Sequence, residues 1–287
     1  MSVIAILMKR NMMLFFKDKS ALFFSFMAVF IVLFLYICFL GDMMIKPLKA
    51  PFPDTAREIS DTWIMAGTLG IVSLTTSLSV LGIVIEDKQH HILDDFRISP
   101  ISRMQISVAY ICSTIVITFL ISTVTLGIAE MYILAYGGKL LDFVTFMKLF
   151  GIMLLSILSC TSMLYFIMSF FNSASSFSNI TTIIGTLSGF LMGIYVPIGS
   201  LPHFLQVIIA WFPPSHGAAL FRNVMMEDVL QRSFPAGQET ALLEFKKQFG
   251  LVFEYGTHTT TLWDNMFVLI GMGVFFFILL RFQKREK

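Results

Sequence analysis

The stretch from Gly193 to Arg222, GIYVPIGSLPHFLQVIIAWFPPSHGAALFR, sets the sharpest limit on what this chain can become. It is strongly apolar, yet it carries Pro197, Pro202, Pro213 and Pro214, and glycines at 193, 199 and 217. Each proline removes a backbone donor and strains the preceding turn, so one straight helix through this piece is excluded. Broken backbone at membrane depth survives only where protein buries it or where it lines a wet cavity. The stretch is therefore expected to leave one span, dip back toward the membrane and cap something.

That reading needs a membrane protein, and the composition supplies one. Of 287 residues, 56% are hydrophobic and only 13% are charged, with a mean hydropathy of +0.82. A soluble domain carries about 25% charged residues. The formal net charge of +2 is too small to suggest nucleic acid, and no basic-aromatic cluster points there. Cys38, Cys112 and Cys160 lie in separate apolar runs without metal or disulfide spacing and read as small buried hydrophobes.

Apolar runs of about 20 residues mark spans. They fall at 21–40, 63–85, 106–134, 149–171, 178–196 and 263–281. Residues 1–20 read as an amphipathic interface helix, with Val3, Ile6, Leu7, Leu14 and Phe15 on one face. No small-residue cleavage site follows the first run, so it is expected to be a retained anchor. The organisation is then a 1–20 interface helix and a single six-span domain over 21–287, all-α, with a re-entrant hairpin between spans five and six. With both termini inside, the inner segments 1–20, 86–105 and 281–287 carry eleven lysines and arginines, against five in the short outer loops. Lysine and arginine prefer the cytoplasmic side, so both termini are expected there.

Three segments outside the spans carry information. The outer loop 41–62 holds Pro47, Pro51 and Pro53 and is expected to be largely irregular. The outer segment 223–262 is polar, with a short amphipathic helix expected over Gln238 to Phe249. The inner loop, EDKQHHILDDFRISPISRMQI from Glu86 to Ile106, places Ile92, Leu93 and Phe96 at helical spacing. Ser99-Pro100 ends that helix, and Ser102 caps the next one. Such a helix between spans suits docking of a soluble partner, or simple contact with lipid headgroups. His90 and Asp94, and His91 and Asp95, share a helical face. No third ligand can be named, and no metal site is expected.

Glu130 is the one acidic residue well inside an apolar span, and intramembrane carboxylates are by default functional candidates. It also lies close to the outer end of span three, near Tyr132 and Tyr136. Gly185, Gly189 and Gly193 form a small-xxx-small repeat that allows close helix approach, within the bundle or between subunits. No P-loop, H-E-x-x-H or G-x-S-x-G occurs, so no catalytic residues are assigned. Charges do not recur within the spans as ion-coupled transport requires. Any uphill transport must draw its energy from a partner.

Two of these segments resemble the permease subunits of type-2 ABC exporters, a class that includes drug, haemolysin, bacteriocin and polysaccharide exporters. In Glu86 through Arg103, the residues Leu93, Asp94, Phe96, Ser99, Pro100, Ile101, Ser102 and Arg103 fit that family's inner-loop motif. His91 stands where the family usually has glycine. In the second segment, Pro197, Leu201, Pro202, Phe204, Leu205, Pro213, His216, Phe221 and Arg222 fit its outer signature. The resemblance implies a homodimer paired with two cytoplasmic ATPase subunits that bind ATP and Mg, in a bacterial inner membrane. Glu86, Leu93, Asp94, Phe96, Arg97, Pro100 and Arg103 would form the coupling element. Pro197, Leu201, Pro202, Phe204, Pro213, Pro214, His216 and Arg222 would form an outer re-entrant gate, with helices near 201–211 and 215–225 separated by Pro213-Pro214. Cargo would be amphipathic or hydrophobic: a drug, a toxin, a lipid-like molecule or a small peptide. A membrane-embedded enzyme, an assembly or immunity factor, and a polysaccharide exporter are the alternatives.

Overall fold

A computed structural model describes residues 2–98, 100–171 and 173–282, and it is almost wholly helical. Its axis is α4 (Ala56–Gln89), 34 residues long and so about 50 Å from end to end. Apolar residues and small hydroxyl residues surround α4 on all sides, and it is buried along nearly its whole length. Most of these hydroxyls are paired inside the helix, although the buried Thr76 Oγ1 has no partner among the described residues. Thr68, Ser73 and Ser77 each donate back to the carbonyl four residues earlier, at 2.8, 2.9 and 2.7 Å.

Around it lie α1 (Val3–Lys17), α2 (Lys19–Leu35), α3 (Gly41–Leu48), α5 (Ile92–Ile98), α6 (Arg103–Ala135), α7 (Phe143–Met168) and α8 (Ala174–Leu191). Next come α9 (His203–Trp211), α10 (Pro213–Met225), α11 (Glu227–Ser233), α12 (Glu239–Gln248) and α13 (Leu262–Phe282), with a two-stranded ribbon of β1 (Glu254–Tyr255) and β2 (His258–Thr259) before α13. Helices α6, α7 and α10 pack directly on α4, while α2 and α13 present most of their surface outward. Five segments are long and apolar enough to cross a membrane: 19–48, 56–89, 103–135, 143–168 and 262–280. The α9–α10 pair makes a sixth if counted as one broken span. The protein is therefore an all-α integral membrane protein, with the small ribbon as its only sheet among the described residues.

The structure differs from the sequence reading at several points. The 41–62 segment is mostly helical. A π-turn at Tyr36–Leu40 carries α2 straight into α3, and Pro47 sits in the last turn of α3. There its missing N–H removes one hydrogen bond at a frayed end instead of breaking a helix interior. The fifth apolar run, read as 178–196, is α8 at 174–191 and is not among the five crossing helices. Ser175, Ser176, Ser178, Asn179, Thr181 and Thr182 lower its hydropathy, and Gly193 stops it early. In α1 the inward face is Leu7, Asn11 and Phe15, while Ile6 and Leu14 face outward. The polar Asn11 turns inward because a hydroxyl on α6 receives it: its Nδ2 donates to Ser113 Oγ at 3.2 Å. Helix α12 falls within one residue of the expected 238–249 segment.

Candidate functional site at the two ends of the central helix

The two sequence motifs sit at opposite ends of α4. At the C-terminal end, Asp87 is buried while its neighbour Glu86 faces outward. Adjacent residues on a helix point about 100° apart. Arg10 of α1 reaches Asp87 with both Nη atoms, each at 2.6 Å. Tyr110 of α6 donates its hydroxyl to the same carboxylate. The Arg10 guanidinium also lies 5.6 Å from the ring centroid of Phe96 on α5. One buried carboxylate thus ties together α1, α4 and α6, and its cation touches α5. The hydrogen bonds it donates to Asp87 hold the Arg10 guanidinium above its ordinary range. Lys88 reinforces this end by donating to the carbonyls of Ser169 and Phe171, at 3.3 and 2.9 Å, where α7 ends.

Helix α5 lies over this node. Leu93 and Phe96 pack against the core, whereas Ile98 is 88% exposed. The turn into α5 passes through His91 at φ 58°, in the left-handed region that favours glycine. The family's usual glycine therefore has a geometric reason at this position. Here the imidazole Nδ1 lies 3.0 Å from Asp94 Oδ2. Ser102 caps α6 in a reciprocal box with Gln105, as its sequence position suggested. Asp94, Pro100 and Arg103 are exposed. The side chain of Arg97 and the whole of Ser99 lie outside the described residues.

At the other end of α4, Arg222 of α10 is fully buried. Its Nη2 donates to the carbonyls of Met192 and Gly193, at 2.7 and 3.0 Å, and its Nη1 to Gly250 at 3.4 Å. Its guanidinium lies 4.7 Å from the centroid of Trp63 on α4, and Trp63 Nε1 donates to Phe249 O at 2.8 Å. These acceptors share one origin. Helix α8 ends with Ile194 N bonded to Gly189 O and Gly193 N to Phe190 O. Helix α12 ends the same way, with Leu251 N on Lys246 O and Gly250 N on Lys247 O. Both are Schellman ends with a left-handed glycine, at φ 62° and 67°. Each leaves terminal carbonyls unpaired and a negative dipole end. Arg222 collects carbonyls from both, so a cation is held with no carboxylate among its partners.

Close packing makes this junction possible. A Cβ on Gly67 of α4 would lie 2.8 Å from Ile194 Cγ1 and 3.0 Å from Arg222 Nη2, and one on Gly70 would lie 3.0 Å from Ala218 Cβ. The α9–α10 pair turns through 91°. Pro213 and Pro214 form the first turn of α10, where a missing N–H is harmless. They start the second helix; they do not form a spacer between the two. Pro197 leads into a short 3-10 turn at Ile198–Ser200, and Pro202 precedes α9. His216 is buried, with Nδ1 2.6 Å from Asn265 Oδ1 and Nε2 2.9 Å from Ala210 O, so it joins α10 to α13 and to the end of α9. Leu201 is half-buried, and Phe204 is 64% exposed.

Glu130 is buried at this same end of the bundle. Its Oε2 accepts from Leu141 N at 3.2 Å, which pins the loop between α6 and α7. Its Oε1 has no partner among the described residues. The three glycines of the small-residue repeat have separate roles: Gly185 is open to the outside, Gly189 receives the Tyr195 ring, and Gly193 lies beyond the helix. No three groups that could share a metal come together among the described residues. Arg10, Asp87 and Tyr110 were not singled out by the sequence. The available signal was a carboxylate one turn past the buried Val84 of the same helix.

Comparison with curated proteins gives no match. The family model described as ABC-2 family transporter protein matches residues 45–282, which include both ends of α4 and the bent pair. On that match, covering most of the chain, the protein belongs to the ABC-2 transporter family, the membrane components of ABC transporters.

Proposed function

We propose that this permease works as a homodimer with two separate ATPase subunits, which bind ATP and Mg, and exports an amphipathic or hydrophobic cargo. The observation that carries this reading is the node at Asp87. A partner pressing on α5 would act on Phe96, through it on Arg10 and Asp87, and so on a helix about 50 Å long. A packed helix moves as a rigid element, and the far end of α4 holds Gly67, Trp63 and the Arg222 junction. The bare Ile98 offers an apolar contact for the ATPase on the outer side of α5. In this arrangement α8 makes the sixth crossing, so that both termini and α5 face the cytoplasm of a bacterial cell and the α9–α10 bend closes the outer side.

Helix α8 supports the dimer. Ser175, Asn179, Thr182 and Thr186 recur at spacings of four, three and four and are all exposed. They form a polar stripe on one helical face; the Thr182 and Thr186 hydroxyls bond back to the carbonyls of Ser178 and Thr182, at 2.9 and 2.8 Å, so it is chiefly the Asn179 amide that lipid leaves unsolvated. A second copy, or the wet path between two copies, covers it.

The first test is copurification. Ile98→Asp should lower recovery of the ATPase subunit at least tenfold while leaving the permease folded; unchanged recovery together with intact export would overturn the reading. Phe96→Asp is a poorer probe, because Phe96 also packs on Arg10. ATPase activity of the reconstituted complex, screened for stimulation by hydrophobic drugs, acyl lipids and short peptides, would identify the cargo class.

A further inference from the structure

A cavity of about 370 Å³ lies where α9 meets the β1–β2 ribbon, lined by His203, Val207, Ala210, Trp211, Glu254 and Tyr255. We propose that this cavity binds an alkylammonium group, such as the choline head of a lipid or a free quaternary amine. The proposal stands apart from the export reading, since neither the Asp87 node nor the Arg222 junction lines the cavity.

The walls argue for that chemistry. His203, Val207, Ala210 and Trp211 recur at spacings of four, three and one, so they share one face of α9. Trp211 is 72% exposed, and its ring stands 5.8 Å from that of Tyr255 at 86°. The contact is edge-to-face, so the corner keeps one open ring face, which attracts a weakly hydrated cation through its quadrupole. The corner is preset: the Tyr255 hydroxyl donates to Ala210 O, and the ribbon turns at Gly256, with φ 64°.

Formal charge points the same way. Glu254 and Glu244 share a single ammonium, Lys247 Nζ, at 2.7 and 3.2 Å. The trio carries one net negative charge, beside the aromatic corner. An anion would meet Glu254 unfavourably. A hard metal ion would find no group of three acidic, histidine or cysteine ligands among the described residues. A bulky ammonium ion with apolar substituents fits both the open ring face and the residual charge.

The test uses 5-fluorotryptophan-labelled full-length protein in phosphatidylglycerol nanodiscs, read by fluorine NMR. Only Trp63, Trp211 and Trp263 report, and Trp211→Phe assigns the resonance of interest. Tetramethylammonium chloride should shift the Trp211 signal saturably, while sodium chloride at equal ionic strength should not. Glu254→Gln should weaken binding about threefold, and Tyr255→Leu should abolish it. Tyr255→Phe keeps the ring and should retain most of the binding. In phosphatidylcholine nanodiscs, a Trp211 signal already at the bound position identifies a lipid head as the occupant; a signal that still responds to tetramethylammonium identifies a free amine. No saturable shift in either disc, an equal response to glucose, or indifference to both Glu254→Gln and Tyr255→Leu would overturn the proposal.

Discussion

Two arginines grip the two ends of α4 by different chemistry. Arg10 meets a carboxylate, and its side chain remains 27% exposed against 4% for Asp87. Arg222 is fully buried, donates to backbone carbonyls and lies over the Trp63 ring. The first contact is an ion pair at the edge of water, where solvent can replace either partner. The second is a desolvated cation whose two Nη atoms are held by two helix ends while its Nε has no partner among the described residues. The comparison suggests that the α5 end is built to yield and the α10 end to hold.

The strongest way to break this contrast is Arg222→Lys. Lysine keeps the charge but cannot fork to carbonyls on two helices, and the vacated carbonyls stay buried. A loss of about 3–5 kcal/mol is expected, read as a large drop in the thermal midpoint of the purified protein in detergent. A variant within about 0.5 kcal/mol of wild type would mean that the junction is not the rigid end.

Arg10→Gln should cost less, about 3 kcal/mol, because it leaves Asp87 buried and unpaired. The companion double variant, Arg10→Gln with Asp87→Asn, should recover part of that loss. Hydrogen exchange should accelerate in α1 before it does in α4. Uniform acceleration along both helices would remove the distinction between a yielding end and a holding end.

Gly67→Ala and Gly70→Ala probe the packing that lets the second grip form. Each places a methyl into space already occupied by Ile194 or Ala218, so each should destabilise by about 1–3 kcal/mol. Gly185→Ala, where nothing lies within 4 Å, is the matched control and should be nearly silent in the monomer. The smallest effect is expected at His91→Gly. Relief of the left-handed strain, less the added freedom of the unfolded chain, leaves roughly 0.5 kcal/mol of stabilisation. A destabilised His91→Gly variant would show that the 3.0 Å contact to Asp94 outweighs the backbone strain.

Much of this molecule is local in origin and can be read from the chain. Pro197 and Pro202 broke the chain before α9 and Pro213-Pro214 set the α9–α10 bend, the spacing of Leu93 and Phe96 placed α5, and Ser102 with Gln105 marked the start of α6. Each of these rests on residues within a turn or two of one another. The length of α8 was harder to read, because its apolar run continues past the residue where Gly193 turns left-handed. The 41–62 loop was misjudged for a related reason: three prolines suggested irregular chain, but one lies in a helix's last turn and the others lie in the turn before α4.

The functional ends of α4 were only half legible. Arg222 stood out by its motif, yet its partners are carbonyls, which every residue has and which no side-chain pattern marks. They come from Met192, Gly193 and Gly250, about thirty residues away on either side. Asp87 was passed over because a sequence lists Glu86 and Asp87 as equals, and only the packing of α1 and α6 decides which one is turned inward. By itself the sequence determined the membrane class, most of the helical segments and the chain breaks around α9, since hydropathy and proline act over short distances. Tertiary structure alone decided which charges are buried and what satisfies them, because that depends on groups brought together from distant parts of the chain.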